Sequence, residues 1–82
     1  MYFSDVLKAL TAERSGYAVA KKLGISPTSF YGYESGRKTP SDEVLDKMAE
    51  LSGLPLTQVY LAAYAEKTHN PKVAEAFRTL AA

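Results

Sequence analysis

The chain has 82 residues, a formal net charge of +1, 46% hydrophobic residues and 23% charged residues, which is typical of one small folded domain and excludes a disordered segment. It contains no cysteine, which excludes disulfide scaffolds and thiolate zinc sites and favours a reducing, cytoplasmic location. No apolar run is long enough to cross a membrane, and no basic segment precedes the apolar residues near Met1. We therefore expect neither a membrane span nor a signal peptide.

The first two helices are predicted from capping residues and apolar spacing. Ser4 is expected to cap a helix that runs to about Ala12. Ser15 is expected to cap a second, shorter helix over residues 16–23, whose apolar side chains share one face. Gly24 should end this helix, because glycine adopts the left-handed conformation that closes a helix.

Similar signals predict the next two helices. Ser26 suits the cap of a third helix, and Pro27 suits its first position, where the missing amide hydrogen has no partner to lose. This helix should end near residues 35–36. Ser41 is expected to cap a fourth helix, which carries acidic residues in its first turn and ends at Gly53.

Two further helices follow, and no segment alternates in the manner of a strand. The fifth helix is predicted to begin within residues 54–57, and the sixth at Asn70-Pro71. Residues 1–66 are interpreted as one domain, and residues 67–82 as a C-terminal helix that either folds back on it or packs against a second copy. The sequence therefore predicts an all-α fold of five helices with an additional sixth.

The second and third helices have the requirements of a helix-turn-helix motif, in which two short helices cross at a tight turn. The crossing needs a small residue, and Ala20 lies there. The turn needs a residue that tolerates positive φ, which is Gly24. The second helix of the motif needs apolar residues on its inner face, which Ile25, Phe30 and Tyr33 provide.

Residues 15–41, SGYAVAKKLGISPTSFYGYESGRKTPS, resemble the phage repressor and Cro (XRE-like) type of helix-turn-helix. The resemblance rests on Leu23-Gly24-Ile25-Ser26, on Glu34-Ser35-Gly36-Arg37-Lys38 and on Pro40-Ser41, and it extends over residues 4–62. It implies a compact repressor-like domain that binds a double-stranded DNA operator, as in small phage or prophage transcriptional regulators.

The resemblance also implies which side chains contact DNA. The helix after the turn enters the major groove and presents its N-terminal side chains to base edges, so the candidates for base contact are Pro27, Thr28, Ser29, Tyr31 and Gly32. Gly32 is expected to let a base or sugar approach closely. The candidates for phosphate contact, which fix position rather than sequence preference, are Ser15, Tyr17, Lys21, Arg37 and Lys38.

Proteins of this type bind two-fold operators as dimers. The apolar residues of the last two helices are the candidates for the interface, namely Val59, Tyr60, Tyr64, Val73, Phe77 and Leu80. We expect no enzymatic activity, cofactor or small-molecule ligand, because no nucleophile elbow or phosphate-binding loop is present. A metal site is not expected either, because His69 is the only histidine.

Two other functions stay open. The predicted reading face lacks the amide or guanidinium side chains that best discriminate adenine or guanine, and the net charge is close to zero. These features support an alternative, a protein-interaction module of the same fold, of the antitoxin or anti-repressor type, without direct DNA readout. The six tyrosines, interleaved with basic residues, suggest a single-strand binder that stacks bases.

Overall fold

The computed structural model describes all 82 residues, which form six α-helices and no strand. The helices are α1 (Phe3–Leu10), α2 (Gly16–Leu23), α3 (Pro27–Glu34), α4 (Asp42–Ser52), α5 (Leu56–Lys67) and α6 (Pro71–Leu80). The predicted all-α fold of five helices followed by a sixth is confirmed. None of these helices has both the length and the apolar character needed to span a membrane.

Side-chain hydrogen bonds explain where four of the helices begin. The hydroxyl oxygens of Ser15, Ser26 and Ser41 each accept a hydrogen bond from the backbone amide three residues later, in the first turns of α2, α3 and α4. Oδ1 of Asn70 accepts a 2.9 Å hydrogen bond from the amide of Lys72 at the start of α6. These caps satisfy amides that have no partner within a helix, and the predicted starts of these helices are confirmed.

The start of α1 differs from the prediction that Ser4 caps it. The helix begins at Phe3, and the Asp5 carboxylate accepts a 2.9 Å hydrogen bond from the amide of the residue before the helix. A carboxylate in the first turn is also stabilised by the positive end of the helix dipole. This earlier start makes Phe3 part of the helical face that is buried in the core, and the helix ends at Leu10, slightly before the predicted end.

The core lies around α5, which contacts α1, α4 and α6. Fourteen buried apolar side chains from α1 to α5 form it, namely Phe3, Val6, Leu7, Leu10, Val19, Ala20, Leu23, Phe30, Leu45, Met48, Ala49, Val59, Ala62 and Ala63. Burial of one large apolar side chain stabilises a fold by about 1.5–3 kcal/mol. Because α2 and α3 both contribute to this cluster, their mutual orientation is fixed by the same core.

The C-terminal helix folds back against α5. Its Ala74 and the following Ala81 are buried, and the guanidinium of Arg78 forms a 3.3 Å salt bridge with Glu66 of α5. The carbonyl oxygen of Arg78 also accepts a 2.9 Å hydrogen bond from the amino group of Met1. The boundary that the sequence predicts between residues 66 and 67 lies in the last turn of α5, so it does not coincide with the end of a helix.

The apolar stripe of α6 does not face the core. Val73 and Leu80 are 41% and 69% exposed, and Phe77 is half-buried. The inward face instead carries Ala74 and Ala81, whose small side chains permit close approach to the neighbouring elements. The fold therefore leaves Val73 and Leu80 exposed and covers Phe77 only in part.

Candidate nucleic-acid interface

The turn between α2 and α3 is closed by backbone hydrogen bonds around Gly24. This residue has φ +74°, and its amide donates to the carbonyl oxygen of Lys21 at 3.2 Å. The amide of Ile25 donates to the carbonyl oxygen of Ala20 at 3.0 Å. Such a pair of bonds is the usual closure of a helix by a left-handed glycine, and it sets the direction in which α3 leaves the turn.

Apolar side chains fasten α3 to the rest of the domain as the sequence predicted. Phe30 is fully buried, and Ile25 and Tyr33 are half-buried against the core. Burial raises the pKa of the Tyr33 hydroxyl above its ordinary value. Ala20 is fully buried in the core. With its inner side held in this way, α3 presents the opposite side to solvent.

The exposed side of α3 brings together four of the five predicted base-contact residues. Thr28 and Tyr31 are exposed, the latter by 52%, and Pro27 and Ser29 are half-buried. The Tyr31 ring lies close to the start of α2, because a Cβ placed on Gly16 would be 3.3 Å from Tyr31 Cε1. The four residues therefore form one surface near the N-terminal half of α3.

Gly32, the fifth predicted base-contact residue, is buried and does not offer an open approach. A Cβ on this residue would lie 2.9 Å from Cδ of Lys38 and 3.3 Å from Nη2 of Arg37. Its carbonyl oxygen accepts hydrogen bonds from the amides of these two residues, at 3.0 Å for Arg37 and 3.1 Å for Lys38. The expected space for a base or sugar is filled by two cationic side chains from the following loop.

The predicted phosphate-contact residues flank α3 on two sides. Tyr17 and Lys21 of α2 line a shallow groove together with Ile25 and Pro27. The oxygen of Ser15 accepts the capping hydrogen bond at the start of α2, which leaves its hydroxyl hydrogen available for another acceptor. Arg37 and Lys38 lie on the loop side of α3.

The charged groups beside α3 are mostly cationic. Glu34, at the end of the helix, is exposed and forms no salt bridge, since the one salt bridge in the protein joins Arg78 to Glu66. Lys21, Arg37 and Lys38 are likewise free of carboxylate partners. This surface can therefore accept an anionic ligand without first breaking an ion pair.

A family comparison agrees with this geometry. The sequence profile of the helix-turn-helix domain matches residues 4–61, which extend from α1 into α5. The chain belongs to the helix-turn-helix domain family. No curated protein and no solved structure gives a significant match to it. The expected resemblance to a helix-turn-helix family is thus confirmed at the level of the domain, whose members include DNA-binding regulators.

The predicted dimer residues of this helix-turn-helix protein do not all lie on its surface. Val59 is fully buried in the core, so its prediction as an interface residue was wrong, because the monomer already covers it. Tyr60 and Tyr64 lie on the outer side of α5 with Leu61. Together with Phe77 of α6 they line an open and entirely apolar groove.

Two tyrosine–aspartate hydrogen bonds join α5 to α4, and the sequence interpretation missed them. The Tyr60 hydroxyl donates to Oδ1 of Asp46 at 2.5 Å, and the Tyr64 hydroxyl donates to Oδ1 of Asp42 at 2.6 Å. The two rings stack with centroids 6.1 Å apart. The two tyrosines lie four residues apart on α5 and the two aspartates lie four residues apart on α4, so each pair shares one face of its helix. This matched spacing is the sequence signal for the two hydrogen bonds.

These hydrogen bonds change the acidity of both phenols. The hydrogen bond to Asp46, with burial and the nearby carboxylates adding to it, raises the pKa of Tyr60 to about 12. The hydrogen bond to Asp42 likewise raises the pKa of Tyr64. The cause is that a phenolate would lose its hydrogen bond and face a carboxylate of the same charge. The two hydrogen bonds anchor the tyrosine edge of the apolar groove to the first half of α4.

Proposed function

We propose that this helix-turn-helix protein is a transcriptional regulator that binds double-stranded DNA in a sequence-specific manner. In this proposal it is a phage or prophage repressor without enzymatic activity. The observation that supports the proposal is the solvent-facing side of α3, whose inner side is held by Phe30 and which is flanked by the cations Lys21, Arg37 and Lys38. A helix presented in this way fits the major groove, and cations at its sides meet the phosphates.

In this proposal the hydroxyl-bearing side chains of α3 contact the base edges. The methyl group of Thr28 suits the methyl group of thymine, and the hydroxyls of Thr28, Ser29 and Tyr31 can donate to or accept from bases. Tyr17 and Lys21 of α2 contact the phosphate backbone of one DNA strand. Arg37, beyond the end of α3, contacts phosphate on the other side.

We further propose that two copies bind a two-fold operator. The groove of Tyr60, Leu61, Tyr64 and Phe77 is apolar, and Phe77 continues it onto the exposed stripe that includes Val73 and Leu80. A two-fold axis through such a patch buries the same surface on each copy. The two α3 helices then read half-sites separated by about one helical turn of DNA, roughly 34 Å.

The proposal is tested by selecting duplexes from a random library and measuring their affinity by fluorescence anisotropy at low and moderate salt. We expect saturable binding, an enriched two-fold sequence and weak binding to the matching single strand. Thr28→Ala and Tyr31→Ala should reduce the preference for the selected duplex over random duplex. Arg37→Ala should weaken binding to both duplexes equally.

The alternatives predict different results in the same assay. An absence of saturable binding at either salt concentration would contradict DNA binding and favour the protein-interaction module. Tighter binding to the single strand than to the duplex would instead favour the single-strand binder. Equal losses on selected and random duplex for all three variants would contradict the assignment of base contacts to α3.

A further inference from the structure

The side chain of Lys38 runs backwards along the exposed surface of α3. Its Nζ lies 3.4 Å from Oγ of Ser29, in the N-terminal half of the helix, although its own backbone lies beyond the helix end. The Ser29 oxygen is therefore shared between Lys38 and the hydroxyl of Ser26, which donates to it at 3.1 Å. The ammonium group therefore lies beside Ser29, one of the predicted base-contact residues.

Gly32 makes this path possible. Methylene carbons of Lys38 cross the helix at this residue, where an added Cβ would be 2.9 Å from Cδ and 3.2 Å from Cγ. The 2.9 Å separation is shorter than real Cβ contacts, so a side chain at residue 32 forces the lysine to move. The absence of a side chain at Gly32 thus determines where the charge of Lys38 is held.

The chemistry of α3 leaves a role for this ammonium group. No side chain from Pro27 to Gly32 carries an amide or guanidinium group. Amide, guanidinium and lysine ammonium groups are the ones that best recognise purines in the major groove. Residues near the N-terminus of the recognition helix contact base edges, and the Lys38 ammonium is held beside Ser29, close to that end.

We propose that Lys38 is a specificity-determining residue that donates hydrogen bonds to the N7 and O6 atoms of a guanine in the major groove. This inference rests on the proposed DNA-binding function and changes the role of Lys38 from phosphate contact to base reading. Adenine is disfavoured at the same position, because its exocyclic amino group is a donor and repels an ammonium group.

The test uses the duplex that the full chain selects from a random library, with each guanine replaced in turn by 7-deazaguanine, which lacks N7. We expect one guanine per half-site whose replacement weakens binding by about tenfold, as removal of a good base contact does. Lys38→Ala should make binding insensitive to this replacement. Arg37→Ala, which removes the same charge from the adjacent residue, should keep the full sensitivity.

A second variant tests the path over Gly32 without removing a charge. Gly32→Ala should change the unfolding midpoint little, because the better helix propensity of alanine opposes the cost of displacing the Lys38 side chain. The same variant should lose most of the sensitivity to 7-deazaguanine, because Lys38 is displaced from its place beside Ser29.

The outcomes separate this inference from the function on which it rests. Failure to enrich any duplex would contradict the proposed function itself. An enriched duplex without a sensitive guanine, or with a sensitivity that survives in Lys38→Ala, would overturn the inference alone. Loss of the sensitivity in Arg37→Ala instead would assign the guanine to Arg37 and likewise overturn it.

Discussion

The hydroxyl of Tyr60 in α5 donates a 2.5 Å hydrogen bond to Oδ1 of Asp46 in α4. The same hydroxyl lies 3.1 Å from the carbonyl oxygen of Asp42. A phenolate at this position would face a carboxylate at hydrogen-bond distance, and the pKa of Tyr60 is accordingly raised to about 12. This contact therefore links α4 to α5 only while Tyr60 is protonated.

The first prediction concerns stability at alkaline pH. Because the pKa of Tyr60 is about 12 in the folded protein and about 10 when unfolded, the unfolded chain loses this proton first. The contribution is thus complete below pH 10 and is lost as the pH rises from 10 to 12. Tyr60→Phe should reduce the loss of stability between these values, as measured by urea unfolding in that range.

Tyr17→Phe is the matched control, because it removes the hydroxyl of a tyrosine that is 60% exposed and takes part in neither tyrosine–aspartate hydrogen bond. It should leave the alkaline loss of stability unchanged. An alkaline loss that is identical in the Tyr60→Phe variant and the original chain would contradict the assigned pKa shift.

The second prediction concerns the turn of the helix-turn-helix. Gly24→Ala should lower the free energy of unfolding by about 1 kcal/mol, because an alanine at φ +74° occupies the disfavoured left-handed region. A steric clash does not add to this cost, since the new Cβ would be 3.5 Å from Nζ of Lys47. Gly24→Asn should cost less, because asparagine tolerates this conformation better. Equal stability of all three chains in urea would contradict the account of the turn.

The third prediction concerns the proposed dimer. Leu80→Glu should shift the protein towards the monomer by at least tenfold in dissociation constant, because it introduces a charge into an apolar contact. The unfolding midpoint of the monomer should change little, because Leu80 is 69% exposed. Sedimentation velocity across a range of concentrations measures the dissociation constant.

Leu56→Glu provides the comparison for this experiment. Leu56 is also an exposed leucine, at 52%, but it belongs neither to the apolar groove nor to the exposed stripe of α6. This variant should dimerise as the original chain does. A monomeric original chain, or equal weakening by both substitutions, would contradict the proposed interface.

The fourth prediction concerns the salt dependence of DNA binding. Lys21→Ala should reduce the slope of log affinity against log salt concentration by about 0.9, as expected for the loss of one phosphate contact. Lys72→Ala removes an exposed lysine at the start of α6 and should leave the slope unchanged. A slope that is the same for Lys21→Ala and the original chain would remove Lys21 from the phosphate contacts.

Much of the fold was predictable because local signals determine it. The caps at Ser15, Ser26 and Ser41 and the glycine at the end of α2 act within a few residues of chain, and their positions appear directly in the sequence. The predicted start of α1 was wrong because the Asp5 carboxylate, and not the Ser4 hydroxyl, forms the hydrogen bond at the start of the helix.

The missed parts of the site depend on elements that are distant in sequence. The stripe of α6 gave no indication of which side meets α5, and two alanines rather than the larger residues face inward. The covering of Gly32 depends on how the loop returns after α3, which brings Lys38 back over the helix. Helical periodicity describes the faces of each helix but not the partner that covers each face.

The central claim is that the α2–α3 surface contacts duplex DNA, and an NMR titration of the ¹⁵N-labelled chain with its selected duplex tests it most directly. We predict that amide shifts concentrate between residues 15 and 38, with the largest changes at Thr28, Tyr31 and Lys38, while Lys72 and its neighbours in α6 stay unchanged. Saturable binding that shifts the amides of other helices and leaves those of α3 unmoved would contradict the account.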